Sequence, residues 1–147
     1  MTRLHAVAVS VMGCSLAWAV GCGGGSTSPT TRVTGKLTCK GQPVAGANVT
    51  FLPAKGRPAT GKTGADGRFT LSTYKSNDGA EMGDHKVSIT MSWDDNPPPM
   101  PGSPAAKDWK PPVQLFADKY LNPGGSGLTA TVEKGKNTNF EWDLDPK

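Results

Sequence analysis

The sequence predicts an all-β domain, a sandwich of about seven short strands, and three observations carry that prediction. Apolar residues recur at every second position in short runs, and glycine- and proline-bearing turns separate the runs. After residue 32 no stretch shows the 3.6-residue apolar spacing of an amphipathic helix. Residues 32–147 number 116, enough for one hydrophobic core and too few for two.

The first run places Val33, Gly35, Leu37 and Cys39 on one face and Thr34, Lys36, Thr38 and Lys40 on the other, the pattern of a half-buried strand. Cys39 is therefore expected inside, as a small core residue rather than a reactive thiol. Gly41-Gln42-Pro43-Val44-Ala45-Gly46 is turn chemistry, with Pro43 removing an amide donor at an edge. Ala47, Val49 and Phe51 then alternate with Asn48 and Thr50, and Ala59 to Lys62 follow the loop 55–58 as a short edge strand. Asp66-Gly67 is the dipeptide favoured where a hairpin turn needs positive φ. Beyond it Phe69, Leu71 and Thr73 share a face. Val87, Ile89 and Met91 form the next inward row, Leu128, Ala130 and Val132 another, and Phe140, Trp142 and Leu144 complete the core.

The domain has a leader. Leu4 to Val20 are 17 residues without a formal charge, preceded by Arg3 and followed by small residues. That is short of the roughly 20 residues that span a bilayer comfortably, and it has the layout of a secretory signal. Ala19-Val20-Gly21-Cys22 resembles a bacterial lipoprotein lipobox. The resemblance implies a signal peptide at 1–21 cut between Gly21 and Cys22, and acyl chains on Cys22. Val11-Met12-Gly13-Cys14 has the same form, but cleavage there would leave the apolar Leu16 to Val20 on the mature chain, which favours Cys22. Several acyl chains would make a durable membrane anchor where one holds only marginally. Residues 22–31 then read as the lipidated cysteine and a Gly/Ser/Thr tether, with a coil reach of roughly 15–18 Å.

Val33-Thr34-Gly35-Lys36, the Gly41 to Val49 stretch and Gly64-Ala65-Asp66-Gly67-Arg68-Phe69 resemble carboxypeptidase regulatory-like domains. The whole chain, with its Gly-Cys-Gly-Gly-Gly signal and Lys119-Tyr120 ahead of the last hairpin, resembles small planctomycete lipoproteins carrying such a domain. The resemblance implies a transthyretin-like Greek-key sandwich, a generally non-catalytic role and a place in the cell envelope, facing the periplasm. His85 stands where such domains often have tyrosine, so the strand start there is expected to pack less tightly.

Residues 92–127 form an insertion with eight of the 13 prolines, including Pro97-Pro98-Pro99. A segment this long without periodic pattern is functional or unstructured. Trp93, Trp109 and Tyr120 within it are the candidate ligand-binding residues, as a platform for sugar or peptide. The competing expectation is that Phe116 and Tyr120 pack the insertion back onto the sandwich, since aromatics bring the most burial per residue.

Other chemistry is sparse. Asp94-Asp95-Asn96 fall short of the six to eight oxygen ligands of a calcium cage, and His85, the one histidine after Cys22, cannot make a structural metal site alone. No nucleophile-elbow motif occurs, and an enzyme would require His85 beside an acid and a hydroxyl in a cleft. The expectation is a non-enzyme without cofactor or metal. From Cys22 onward the chain carries 15 Lys and Arg against 12 Asp and Glu, with no basic block, so nucleic acid is not an expected partner. The expected partners are a membrane, through the lipid, and an envelope protein or polysaccharide.

Overall fold

Alternating strands with one apolar face must bury that face against another layer, and here two four-stranded sheets do so around a single core. The computed structural model describes residues 28–94, 97–111, 113–136 and 138–147. In chain order the strands are β1 (Thr30–Thr31), β2 (Thr34–Cys39), β3 (Gln42–Pro43), β4 (Ala47–Pro53), β5 (Ala59–Lys62), β6 (Arg68–Thr70), β7 (Ala80–Glu81), β8 (Gly83–Met91), β9 (Thr129–Val132) and β10 (Asn139–Leu144). Helical structure among the described residues is limited to two 3-10 turns, Pro104–Lys107 and Asp118–Leu121.

The first sheet centres on β2, which pairs with β10 on one side and with β6 and β3 on the other. The β2–β10 pair is parallel, with Gly35 opposite Phe140 and Leu37 opposite Trp142. The second sheet has the order β5-β4-β8-β9 and is antiparallel throughout. β1 and β7 form a separate two-stranded pair. Seven of these ten strands coincide with the predicted runs; β1, β3 and β7, of two residues each, have no periodic signal to betray them.

The inner faces meet in an aromatic cluster that both sheets supply. Phe51 of β4 lies 5.5 Å from Phe140, 5.9 Å from Trp142 and 5.7 Å from His85, centroid to centroid. Trp142 stacks in turn on Phe69 and Phe140. Room for those rings exists because residue 35 is glycine. A Cβ there would fall 2.4 Å from both the Phe69 ring and the Phe140 carbonyl. Gly67, at φ +75°, closes the β5–β6 connection as the Asp-Gly signal predicts, with Asp66 Oδ1 accepting the Arg68 amide.

Four expectations need correction. Cys39 has the inward parity but is only half-buried, because β2 ends there and the chain at Leu115, rather than the opposite sheet, covers it; its thiol donates to the Leu115 carbonyl at 3.6 Å. Phe140 and Trp142 are partly buried, since β10 is the outermost strand of its sheet. The strand holding Val87 begins at Gly83, so His85 lies within it, 2 % exposed against Phe51, and the strand start is closely packed. Thr30 and Thr31, expected in the tether, already pair with Glu81 and Ala80, so strand structure begins before residue 32.

Candidate functional site

The insertion is two different segments. From Gln114 onward it is built into the fold: Phe116 is fully buried, Tyr120 is 4 % exposed, and Ser126 donates its hydroxyl to the Val87 carbonyl at 2.6 Å. Phe116 bridges to Pro146, the Ala117 amide donates to Asp145 O, and the Lys147 amide to Leu115 O, so the chain terminus runs antiparallel to this segment. Between Pro97 and Pro111, by contrast, the residues are exposed, with Pro99, Ser103 and Trp109 half-buried. The expectation that Phe116 and Tyr120 pack the insertion back onto the sandwich therefore holds for its second half, where apolar burial outweighs the ordering cost.

This division separates the three predicted ligand residues. Trp93 and Trp109 come together, ring centroids 5.3 Å apart at 25°, with Trp93 47 % exposed. Tyr120 does not join them. Its ring packs edge-on against Phe116 at 6.2 Å, and its hydroxyl donates to Asp145 Oδ2 at 3.0 Å and accepts the Asp145 amide at 3.1 Å. A ring held this way offers no face to a ligand, so Tyr120 is a structural residue and the predicted platform reduces to the tryptophan pair. Gly21, Cys22 and Cys14 lie outside the described residues.

Electrostatics at the Tyr120 corner are local. Lys119 pairs with Asp145, and this ammonium, followed by the Tyr120 hydroxyl, holds the Asp145 carboxyl below its ordinary value. The same contact raises the Lys119 pKa. Both groups are solvent-exposed, so the pair fixes the terminus more than it stabilises the core.

A second candidate lies on the β4-β8-β9 sheet, where a depression of about 560 Å³ is lined by residues 52–54, 84–86 and 129–131. It contains a histidine, a carboxylate and a hydroxyl, the ingredients an enzyme reading requires. Strand alternation keeps them apart. His85 turns inward, its Nε2 against the Glu81 carbonyl oxygen at 2.8 Å, while the Thr131 hydroxyl donates to Asp84 Oδ1 at 2.6 Å on the exposed side. His85 Nδ1 is buried without a hydrogen-bond partner. No base–nucleophile contact joins them.

The acidic turn after β8 is likewise occupied. Asp94 Oδ2 accepts the Ser92 hydroxyl at 2.7 Å and faces Lys62 Nζ at 3.7 Å. Asp95 and Asn96 lie outside the described residues, and among those described no group of three His, Cys, Asp or Glu side chains is placed to hold a metal. No described helix is long and apolar enough to cross a membrane. No family model, curated protein or solved structure matches the chain.

Sequence reasoning missed one cluster. Glu81, 6 % exposed, accepts the Tyr74 hydroxyl at 2.5 Å and the Arg57 amide at 3.3 Å, joining the loops 54–58 and 72–79 beside β1. An isolated acid in a polar stretch gives no hint of this; only the β1–β7 pairing and the 54–58 loop together bury it.

Proposed function

We propose that the protein is a non-catalytic lipoprotein, anchored through acyl chains on Cys22, that presents a transthyretin-like Greek-key sandwich of the carboxypeptidase regulatory-like type in the cell envelope. The domain serves there as a structural or protein-interaction module facing the periplasm. The observation that carries the reading is positional. Cys22 closes an uncharged apolar run, and every described strand lies after it, beginning at Thr30 with only seven residues between. Cleavage before Cys22 would therefore leave the whole fold on the lipid.

The topology supports the Greek-key assignment. The chain visits the first sheet at β2, the second at β4 and β5, the first at β6, the second at β8 and β9, and the first again at β10. Those repeated crossings between two packed sheets, with the first and last long strands side by side and parallel, support that reading. Mass spectrometry of the native protein tests the anchor: the expected N-terminus is an acylated Cys22, and an intact leader refutes it. Cys22→Ser should release the protein from membranes.

A second reading has its own observation, the stacked Trp93–Trp109 pair on the exposed half of the insertion. Aromatic faces bind the apolar faces of sugar rings, so this is the carbohydrate- or peptidoglycan-binding alternative. Glycan-array binding abolished by Trp109→Ala supports it, and no binding across a broad polysaccharide panel removes it.

A further inference from the structure

We propose that the loops surrounding the point where the tether joins the domain form a basic face that docks on an anionic lipid surface. The proposal rests on the membrane-anchored reading above and adds which face meets the bilayer and by what chemistry.

Strand register fixes which loops share that end. Thr30 and Thr31 pair with Glu81 and Ala80, so the tether arrives beside β7. One residue further, β8 opens with Gly83 opposite Val132, which sets the 133–136 turn at the same end. The far side of that turn meets β2, where the Thr34 amide donates to the Thr138 carbonyl at 2.7 Å. Glu81 ties in the 54–58 and 72–79 loops through the Arg57 amide and the Tyr74 hydroxyl, and the Arg57 guanidinium lies 5.5 Å over the Tyr74 ring. Three loops thus share the end of the sandwich at which β1 enters.

Charge is distributed unevenly between this end and the rest. The tether end carries six exposed cations: Arg32, Lys55, Arg57, Lys75, Lys134 and Lys136. It carries four carboxylates, Asp78, Glu81, Asp84 and Glu133, whereas the remainder of the chain after Cys22 has nine cations against eight carboxylates. Two of the three excess positive charges therefore sit at this end. Two of its acids are also spent: Glu81 is buried, and Asp78 accepts the amides of Thr73, Tyr74 and Lys75. The ion pairs Lys62–Asp94, Arg68–Asp66, Lys119–Asp145 and Lys147–Asp118 all lie elsewhere. Among the described residues none of the six cations is within ion-pair distance of a carboxylate.

The tether makes lipid the occupant rather than a soluble polymer. Eight residue steps from Cys22 to Thr30 span at most about 28 Å and about 15 Å as a coil, against a screening length of about 8 Å at physiological salt. A domain so tethered presents this end to the bilayer continually, and each Lys or Arg close to an anionic surface favours the docked state about fivefold.

Hydrogen exchange on the full lipidated protein tests the proposal, in vesicles of phosphatidylcholine alone and with 30 mol % phosphatidylglycerol, a composition chosen to give a negative surface of roughly cellular potential. Exchange in loops 54–58, 72–79 and 133–136 should slow several-fold only in the anionic vesicles, and 97–111 should not change. About 0.5 M salt, or Lys134→Glu with Lys136→Glu, should abolish the difference, since the double reversal weakens docking well over tenfold. Equal exchange in the two vesicles, or slowing at 97–111 instead, overturns the proposal. Equal slowing by a soluble acidic polysaccharide overturns the assignment to lipid. Failure to float with neutral vesicles would sink the anchor alone, because excess anionic vesicles would still decide docking.

Discussion

Phe116→Ala separates the two halves of the insertion most sharply. Phe116 has no solvent exposure, stands edge-on to Tyr120 at 6.2 Å, and its backbone bridges to Pro146. Truncating a fully buried phenylalanine costs about 3–5 kcal/mol, the range spanning how far the surroundings collapse into the space. Here collapse is hindered, because Tyr120 is fixed by two hydrogen bonds to Asp145. A domain of this size is stable by about 5–15 kcal/mol, so the variant loses a large fraction of its stability. Its melting temperature should fall by about 10–20 °C, at roughly 4 °C per kcal/mol. Limited proteolysis gives an independent readout. The parent should be nicked first within 97–110, and the variant should also be cut beyond Val113. Trp93→Ala is the control, expected to cost under about 1 kcal/mol because that ring is half in water. A Phe116→Ala protein melting within about 3 °C of the parent, with cleavage still confined to 97–110, would show that the second half does not hold the terminus. Early cleavage inside the 33–51 region of the parent would instead contradict the strand assignment.

Three further outcomes follow from local geometry. Gly35→Ala should destabilise by at least about 2–3 kcal/mol in urea unfolding, since its Cβ meets the Phe140 carbonyl, which cannot swing aside as a side chain can. Lys40→Asn should stabilise by about 0.5–1 kcal/mol: Lys40 (φ 52°) and Gly41 (φ 76°) form the two-residue β2–β3 turn, and asparagine tolerates the left-handed region better. Partial desolvation opposes ionisation of Asp78, but the amides of Thr73, Tyr74 and Lys75 outweigh it and hold its carboxyl below the ordinary 3.8. A carboxyl lowered by folding contributes stability that is complete above its unfolded pKa and fades as pH falls through the folded one. Asp78→Ala should therefore cost about 0.5–2 kcal/mol near neutrality, as for a lost helix cap, and flatten the acid limb of the unfolding curve. An unchanged acid limb would contradict the amide contacts.

Periodicity alone determined the seven long strands, because a strand with one wet face must alternate whichever strand lies beside it. The same local logic located the Asp66-Gly67 turn, whose dihedral demand resides within the dipeptide. What tertiary structure decided was everything that depends on a distant partner. Tyr120 and Trp109 read alike in a proline-rich stretch; only the chain terminus crossing at Asp145 and Pro146 makes one a packed residue and leaves the other stacked at the surface. Glu81 reads as an ordinary surface acid until β1 and the 54–58 loop cover it, and the basic residues look scattered until the register gathers six of them at the end where β1 begins. Alternation along a strand is local, but burial and charge clustering are set by residues tens of positions away.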